Sequence, residues 1–430
     1  MARLSSAFAA APREPRSLSG RLFETRRRSL DLARPLGAED MTVQAMDDAS
    51  PTKWHLAHTT WFFEAFVLAS HLNGYEPFDD TFNYCFNSYY ESQGARQPRG
   101  KRGLLTRPSS DRVFAYRAHV DAGLKKLLSG NVAPFSELAQ IIEIGINHEQ
   151  QHQELVLTDI LALFAANPQR PAYLAPRPRA EQGEPVPLRW IEYSGGIHDI
   201  GHGGKGFAFD NEAPRHSQLI HPFRLADRLV ANAEWLAFME DGGYRTYALW
   251  LADGWEIVNQ EGWQAPLYWE ERDGQWLAMS LEGMRPIDRA APVAHVSYYE
   301  ADAFARWAGH RLATEFEWEV AATGVAATGN TLASGALRPL PAAPRRDGRP
   351  RQMFGDVWEW TQSAYLPYPG YRAPAGALGE YNGKFMVGQQ VLRGGSCATP
   401  EGHARASYRN FFYPHQRWQF MGLRLASEVE

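Results

Sequence analysis

Two histidines four residues apart carry the strongest chemical signal in this sequence. They lie in the run His148-Glu149-Gln150-Gln151-His152-Gln153-Glu154, and this spacing places both imidazoles on one face of a helix, within reach of one metal ion. Both continue an apolar stripe that should face the protein interior, where a polar ring without a partner costs roughly 1–3 kcal/mol. His58 interrupts the apolar face of an earlier helix in the same way. The pattern predicts a first-row divalent metal bound by His58, His148 and His152.

Two other interpretations of these histidines stay open. The run also satisfies the His-Glu-x-x-His signature of zinc hydrolases, with Glu149 as the general base. Such an enzyme needs a third ligand, but Glu154 is too close to the pair and Asp159 lies on the same helix. In the other interpretation the histidines are structural, and the second half of a non-catalytic module presents loops to a partner.

The elements that must position these side chains are helices. Apolar residues recur at helical spacing in the first part of the chain, and Ser50-Pro51 and Ser136 are typical helix starts. Asn167-Pro168 should end the helix that carries the histidine pair. The four helical patterns cover about 19–34, the segment after Ser50, about 110–129 and the segment after Ser136. Four such helices favour a bundle. The long connection at about 75–108 is rich in aromatic residues and arginine, and its length is typical of a functional or a disordered segment.

The second half of the chain has a different composition. Prolines crowd residues 168–187, where neither helix nor sheet can continue. Beyond them, Gly-rich turns separate short segments, which indicates irregular α+β structure. The predicted domains are a flexible tail at 1–18, a helix bundle at 19–168, a proline-rich linker at 169–188 and a second domain at 189–430.

Composition excludes several classes of protein. The 430 residues include only two cysteines, so neither a disulfide framework nor a four-thiolate metal site is possible. The net charge of 44 − 49 = −5 offers no strong field for nucleic acid or anionic lipid. No apolar run of about 18 residues is present, so no membrane span is predicted. A cytoplasmic protein with small-molecule partners, and with neither nucleic acid nor membrane, is expected.

Two motif sets resemble one known family. The first motif set consists of Trp54-His55-Leu56-Ala57-His58, Phe62-Phe63-Glu64 and the run His148–Glu154. It resembles the iron-binding helices of the ergothioneine-biosynthesis sulfoxide synthases. Their first domain is a DinB-like four-helix bundle. The second motif set consists of Phe354-Gly355-Asp356-Val357-Trp358-Glu359-Trp360-Thr361, Arg393-Gly394-Gly395-Ser396 and Gly422-Leu423-Arg424. It resembles the formylglycine-generating-enzyme (sulfatase-modifying factor, C-type-lectin-like) domain that ends these proteins. The resemblance implies a multidomain fold, α followed by α+β.

The resemblance also implies an activity. Iron(II) bound by His58, His148 and His152 would leave positions for two substrates and dioxygen. The family couples a sulfur donor oxidatively to C2 of the imidazole of hercynine, the trimethylated betaine of histidine, to give a sulfoxide. Formylglycine generation itself is disfavoured, because that reaction uses a pair of nearby cysteines and the second half contains only Cys397.

Three residues of the first domain take on roles by similarity. Gln151, between the ligand histidines, would hydrogen-bond the substrate imidazole. Tyr89 and Tyr90 resemble the paired tyrosines of the cysteine-using members, where one phenol can supply a proton or a hydrogen atom. These two tyrosines are the predicted catalytic residues.

The donor and the betaine have predicted binding residues in both halves. Asp48 and Arg99 match positions that hold an amino-acid donor by charge, although Arg96 and Arg102 are alternatives to Arg99 in the same loop. From the second domain, Asn410, Phe411, Phe412 and Trp418 would close the site. Because a trimethylammonium group cannot donate hydrogen bonds, its recognition requires aromatic faces.

The sequence departs from the family pattern near the substrate loop. It has Arg311-Leu312-Ala313-Thr314-Glu315-Phe316-Glu317 where relatives commonly show a proline and an alanine, and Tyr413-Pro414-His415-Gln416 where cysteine-using members more often carry an acidic residue. These differences leave the donor open between a thiol such as cysteine or γ-glutamylcysteine and a selenosugar, the donor of the related selenoneine synthases.

Overall fold

The computed structural model describes residues 17–429 except 131–132, 134–135, 179–182, 345–347, 375–378 and 380–381. The tail predicted at residues 1–18 lies, apart from Ser17 and Leu18, outside the described residues. The chain forms two compact units. One consists mainly of the chain up to Leu174, and the other of Ala175–Ala373 with Asn382–Glu430.

In the described residues of the N-terminal unit, helices joined by loops are the regular secondary structure. A π-helical turn at Glu64–Leu68 continues the second helix. The helices are α1 (Leu18–Ala33), α2 (Thr52–Phe63), α3 (Ala69–His71), α4 (Phe82–Phe86), α5 (Ser110–Leu128) and α6 (Glu137–Ala166). Helix α6 ends one residue before Asn167-Pro168, as predicted.

Serine side chains begin three of these helices. The hydroxyls of Ser17, Ser109 and Ser136 each accept a hydrogen bond from the backbone N–H three residues later, so the predicted start at Ser136 is confirmed. The predicted cap of α2 at Ser50 is wrong, because Pro51 occupies the cap position. The Ser50 hydroxyl instead accepts a hydrogen bond from Arg102.

Helix α2 lies at the centre of this unit. All twelve of its residues are buried, and it packs against both α5 and α6. Helices α2 and α6 approach closely at Gly145. A Cβ atom added there would lie 2.5 Å from Cε1 of Phe63 and 3.0 Å from Cε1 of Phe62. The absence of a side chain at Gly145 therefore sets the separation of the two helices that carry the three histidines.

Gly145→Ala is expected to lower the free energy of unfolding by roughly 1–3 kcal/mol, because the buried ring of Phe63 has no room to retreat. A loss of stability would be informative, because helix propensity alone favours alanine over glycine by up to about 1 kcal/mol and would therefore raise the free energy of unfolding. Denaturant unfolding measures the change. Gln140→Ala, at an exposed position of the same helix, should stay within about 0.5 kcal/mol of the unmodified protein. A Gly145→Ala protein as stable as the original would contradict the close packing.

The C-terminal unit combines small sheets with four α-helices in its described residues. Its strands are β1 (Trp190–Tyr193), β2 (Gly196–Ile200), β3 (His216–Ile220), β4 (Phe223–Ala226), β5 (Trp269–Arg272), β6 (Gln275–Ser280), β7 (Gly283–Pro286), β8 (Arg311–Leu312), β9 (Trp358–Ala364), β10 (Gln390–Arg393), β11 (Asn410–Phe412), β12 (Met421–Gly422) and β13 (Leu425–Glu428). The helices are α7 (Asn232–Glu240), α8 (Ala252–Glu261), α9 (Tyr298–Trp307) and α10 (Glu315–Ala322).

These strands form four sheets with short connections. Their orders are β1-β4-β13-β8, β11-β10-β9-β12, β2-β3 and β5-β6-β7. All the pairings are antiparallel except that of β12 with β9. The interior between α10 and the first and third sheets is apolar, with Phe223, Leu225, Trp318 and Phe354 among the buried residues. This unit has the irregular α+β character that the glycine-rich sequence predicts.

Across the described ranges of both units, no helix is long and apolar enough to cross a membrane.

Candidate metal centre

The three histidines singled out from the sequence come together between α2 and α6. One ring nitrogen of each lies within 4.8 Å of the corresponding nitrogens of the other two. His58 and His148 are buried, and His152 is half-buried. Nε2 of His58 lies 3.2 Å from Nε2 of His148. The helical spacing thus places all three imidazoles at one point of the interior.

His58 is held by the end of α4. Its Nδ1 donates a hydrogen bond of 2.6 Å to the carbonyl oxygen of Phe86, the last residue of that helix. Because a carbonyl only accepts, the proton of the neutral ring is on Nδ1 and Nε2 carries a lone pair. The ring also stacks between Trp54, at 4.6 Å, and Trp61, at 5.7 Å. These contacts fix both the tautomer and the plane of His58.

His152 contacts a fourth imidazole. Its Nδ1 lies 2.8 Å from Nδ1 of His55, and Nε2 of His55 lies 2.9 Å from Oδ2 of Asp159. The same carboxylate oxygen accepts the backbone N–H of Ser50 at 2.8 Å. His55 and Asp159 are both buried. A polar chain therefore runs from the start of α2 to His152.

The environment keeps the three rings neutral. Burial lowers the pKa of His148 to about 3. Burial, and then the neighbouring His148, also lowers the pKa of His58 and of His152. Neutral imidazole is the form that binds metal ions. The cluster therefore presents lone pairs at neutral pH.

This arrangement fits a metal ion. Two nitrogens bound at right angles to one ion, each at about 2.1 Å, would lie about 3.0 Å apart, and the His58 and His148 nitrogens are 3.2 Å apart. Nδ1 of His58 bonds Phe86, and Nδ1 of His152 faces His55, so in each ring Nε2 is the nitrogen left for an ion. Three neutral nitrogen ligands would leave coordination positions for substrates.

Glu149 is engaged by a serine and two arginines. Its carboxylate is fully buried and accepts a hydrogen bond of 2.6 Å from Ser29. It also forms ion pairs with Arg117 and, at 3.2 Å, with Arg26. The arginines hold its pKa below the usual range although burial acts in the opposite direction. A carboxylate in this setting is not available as a general base at the metal, which argues against the zinc-hydrolase interpretation.

Tyr89 and Tyr90 lie together one aromatic ring away from His58. Their rings stack at 4.6 Å, and their hydroxyl oxygens are 3.5 Å apart. Tyr90 is fully buried and contacts Trp61 at 5.7 Å. The side chain of Asn87 bonds both the N–H and the carbonyl of Tyr90, which fixes the turn.

Arg102 is the buried arginine of the long loop. Its guanidinium lies 3.4 Å from the ring centroid of Trp54 and donates to the hydroxyls of Ser50 and Ser88, both at 2.9 Å. Within the described part of the chain it forms no ion pair, and its buried Nε has no hydrogen-bond partner. The alternatives differ, since Arg99 is exposed and Arg96 pairs with Glu91.

The remaining predicted binding residues occupy both units. Asp48 is half-buried in the turn before α2, and Gln151 is half-buried on α6 between two of the histidines. In the C-terminal unit, Asn410, Phe411 and Phe412 form β11 and Trp418 follows it in a buried position; Phe411 stacks on Tyr365 at 4.1 Å, and Phe412 meets Trp418 edge to face at 5.4 Å.

A buried ion pair positions β11. Arg409, the residue before the strand, donates two hydrogen bonds of 2.8 and 2.9 Å to Glu315. Arg393, in the neighbouring strand β10, also pairs with Glu315 at 2.7 Å. All three side chains are buried. These ion pairs therefore connect the start of α10 to β10 and β11.

Sequence reasoning missed two residues of the cluster. His55 was noted only as part of the Trp54–His58 motif, and Asp159 only as a poor metal ligand. The available signal was that Asp159 follows His152 by seven residues, two helical turns along the same stripe. A buried carboxylate on a stripe of metal-binding histidines indicates a hydrogen-bonding partner for one of them.

Comparisons with known proteins agree with both units. Residues 21–156 match the DinB superfamily, and residues 189–429 match the sulfatase-modifying factor enzyme 1-like domain. A hercynine oxygenase of Mycolicibacterium smegmatis is 33% identical over 410 residues, which cover 88% of this chain and 91% of the relative. That of Mycolicibacterium thermoresistibile is 36% identical over 312 residues, 66% of this chain and 68% of the relative. Ergothioneine biosynthesis protein 1 of Schizosaccharomyces pombe is 28% identical over 232 residues, 51% of this chain and 27% of that protein.

Proposed function

Because this chain belongs to the hercynine oxygenase family, the sulfoxide synthases of ergothioneine biosynthesis, we propose that it uses iron(II) and dioxygen to join a chalcogen donor to C2 of the hercynine imidazole. The observation that carries this proposal is the convergence of His58, His148 and His152 in the interior of the N-terminal unit. The proposal includes a DinB-like four-helix bundle built from α1, α2, α5 and α6, and the domain boundaries predicted above.

Iron(II), when bound by the three histidines, would supply one-electron chemistry with dioxygen and open positions for the substrates. The protein must then orient the substrates and control protons. In the proposal, Tyr89 or Tyr90 would supply a proton or hydrogen atom through its phenol. The support is that the two rings stack on each other and Tyr90 contacts Trp61, which itself stacks on His58. Gln151, on the helix of the ligands, would bond the hercynine ring.

The trimethylammonium group of hercynine donates no hydrogen bonds, so its binding site must recognise the charge in another way. In the proposal, Phe411, Phe412 and Trp418 offer aromatic faces to the trimethylammonium group, and Asn410 adds an oxygen dipole. Phe412 and Trp418 meet edge to face, so the two rings do not cover each other face to face. The ion pair of Arg409 with Glu315 would hold this strand rigid as the substrate binds.

Arg102 is better suited than the predicted Arg99 to bind a carboxylate of a substrate. A buried guanidinium without a carboxylate partner is costly, and a substrate carboxylate would remove that cost. Arg99 is exposed and would gain less from the same contact. Asp48 could bind the ammonium group of an amino-acid donor such as cysteine.

Arg102→Gln is therefore expected to lower kcat/KM roughly 10- to 100-fold with a cysteine-type donor, the range that corresponds to one charged hydrogen bond. Arg99→Gln is the matched control and should change kcat/KM by less than about threefold, as for an exposed charge. Steady-state kinetics with each donor measures both values. Equal losses in the two variants, or none in Arg102→Gln, would count against the assignment.

The proposed reaction is tested by anaerobic loading with iron(II), followed by measurement of oxygen uptake. Hercynine is supplied with cysteine, γ-glutamylcysteine or a selenosugar in turn, and mass spectrometry identifies the product. A coupled product with one donor class is expected, and it decides between sulfoxide synthase and selenoneine synthase. Oxygen uptake that does not depend on hercynine with any of the three donors would remove the proposal.

A further inference from the structure

The polar chain of Asp159, His55 and His152 has a direction that the hydrogen-bonding groups determine. The carboxylate of Asp159 can only accept, so the contact of 2.9 Å requires the proton of His55 to lie on Nε2. Nδ1 of neutral His55 then carries a lone pair. Across the contact of 2.8 Å, this lone pair accepts the Nδ1 proton of His152. The remaining nitrogen of His152, Nε2, is left with a lone pair.

The second contact of Asp159 keeps this direction fixed. The N–H of Ser50, just before α2, donates to the same carboxylate oxygen that accepts from His55. Asp159 lies on α6, whereas His55 and Ser50 belong to α2 and its approach. The carboxylate therefore connects the two helices that carry the ligands. His55 is buried, so water does not compete for its nitrogens.

We propose that His55 and Asp159 are positioning residues that set the tautomer and the ring orientation of His152, so that Nε2 of His152 points its lone pair at the metal. This inference rests on the proposed function, because it assigns a role at the same metal centre. The carbonyl of Phe86 performs the equivalent task for His58. Substitution of residues that hydrogen-bond a metal ligand, without binding the metal themselves, typically changes metal affinity by 10- to 100-fold.

Two substitutions of His55 separate this role from simple packing. His55→Leu introduces an apolar side chain of similar size, which fills the space but cannot accept the Nδ1 proton of His152. His55→Asn places an amide oxygen close to the position of Nδ1 and can still accept the Nδ1 proton. If His55 positions His152, metal affinity should be nearly normal in His55→Asn and reduced in His55→Leu. If His55 only fills space, metal affinity should fall at least as much in His55→Asn as in His55→Leu.

The test is anaerobic titration of the metal-free full chain with cobalt(II), followed by its visible absorption. The unmodified protein is expected to bind one equivalent. The dissociation constant should rise roughly 10- to 100-fold in His55→Leu and stay within about threefold of the unmodified value in His55→Asn. Asp159→Leu, which frees His55 to take either tautomer, should shift it in the same direction as His55→Leu and gives the test if His55→Leu does not fold.

The outcomes distinguish the positioning role from the metal centre itself. If the unmodified chain binds cobalt(II) but His55→Leu or Asp159→Leu binds it equally tightly with the same spectrum, the positioning role is overturned and the proposed function stands. If the unmodified chain binds no cobalt(II), the metal centre itself is overturned together with this role.

Discussion

His148→Ala is expected to remove the tightly bound metal and to lower hercynine-dependent oxygen uptake by more than about 100-fold, beyond the range seen for outer-shell partners. His148 contributes the nitrogen that lies 3.2 Å from that of His58. Without it, His58 and His152 alone would offer the ion only two nitrogen ligands. Metal content after anaerobic loading and oxygen consumption measure the two effects. Thermal unfolding of the metal-free proteins shows whether the variant is folded.

His119→Ala is the control for this substitution. His119 lies on α5 of the same unit, is exposed, and is not among the three clustered histidines. The control should retain one metal ion and full oxygen uptake. A His148→Ala protein that loses stability but keeps both metal and activity would support the alternative in which the histidines are structural.

Glu149→Gln is expected to destabilise the protein by roughly 3–5 kcal/mol, as measured by denaturant unfolding, because it removes the counter-charge of the buried Arg117 and one of the counter-charges of Arg26. Arg117 loses its carboxylate partner, whereas Arg26 keeps its ion pair with Asp121. The amide would also have to rearrange its bond with Ser29. The exposed pair of Glu91 and Arg96 is the control, and Glu91→Gln should cost less than about 1 kcal/mol.

The same variant separates an oxygenase from a zinc hydrolase. If Glu149 were a general base, Glu149→Gln would abolish turnover and leave stability nearly unchanged. The structure predicts the opposite, since two buried arginines already bind the carboxylate. The folded fraction of Glu149→Gln, measured at low temperature, should keep most of its hercynine-dependent oxygen uptake.

The helices and the histidine cluster could be predicted because both follow from periodicity. His148 and His152 continue an apolar stripe, and a stripe faces the interior of a helical unit. The same geometry could have shown that Glu149 faces elsewhere, since neighbouring residues of a helix point about 100° apart. The family matches confirm the predicted DinB-like and formylglycine-generating-enzyme-like domains.

Contacts between elements could not be predicted from periodicity. His55 reaches Asp159 only because α2 and α6 pack with a particular rotation and separation, which depends on the contact at Gly145. The choice among Arg96, Arg99 and Arg102 depends on the path of an irregular loop, for which spacing gives no rule. The type and position of Ser50 fit a helix cap, but its hydroxyl accepts a hydrogen bond from Arg102 of the long loop.

X-ray absorption of the iron(II)-loaded protein identifies the ligands of the metal. We expect one iron per chain with the scattering pattern of three imidazole ligands, from His58, His148 and His152, and the loss of one imidazole contribution in any iron retained by His148→Ala. An iron spectrum without imidazole scattering, or a chain that takes up no iron, would contradict it.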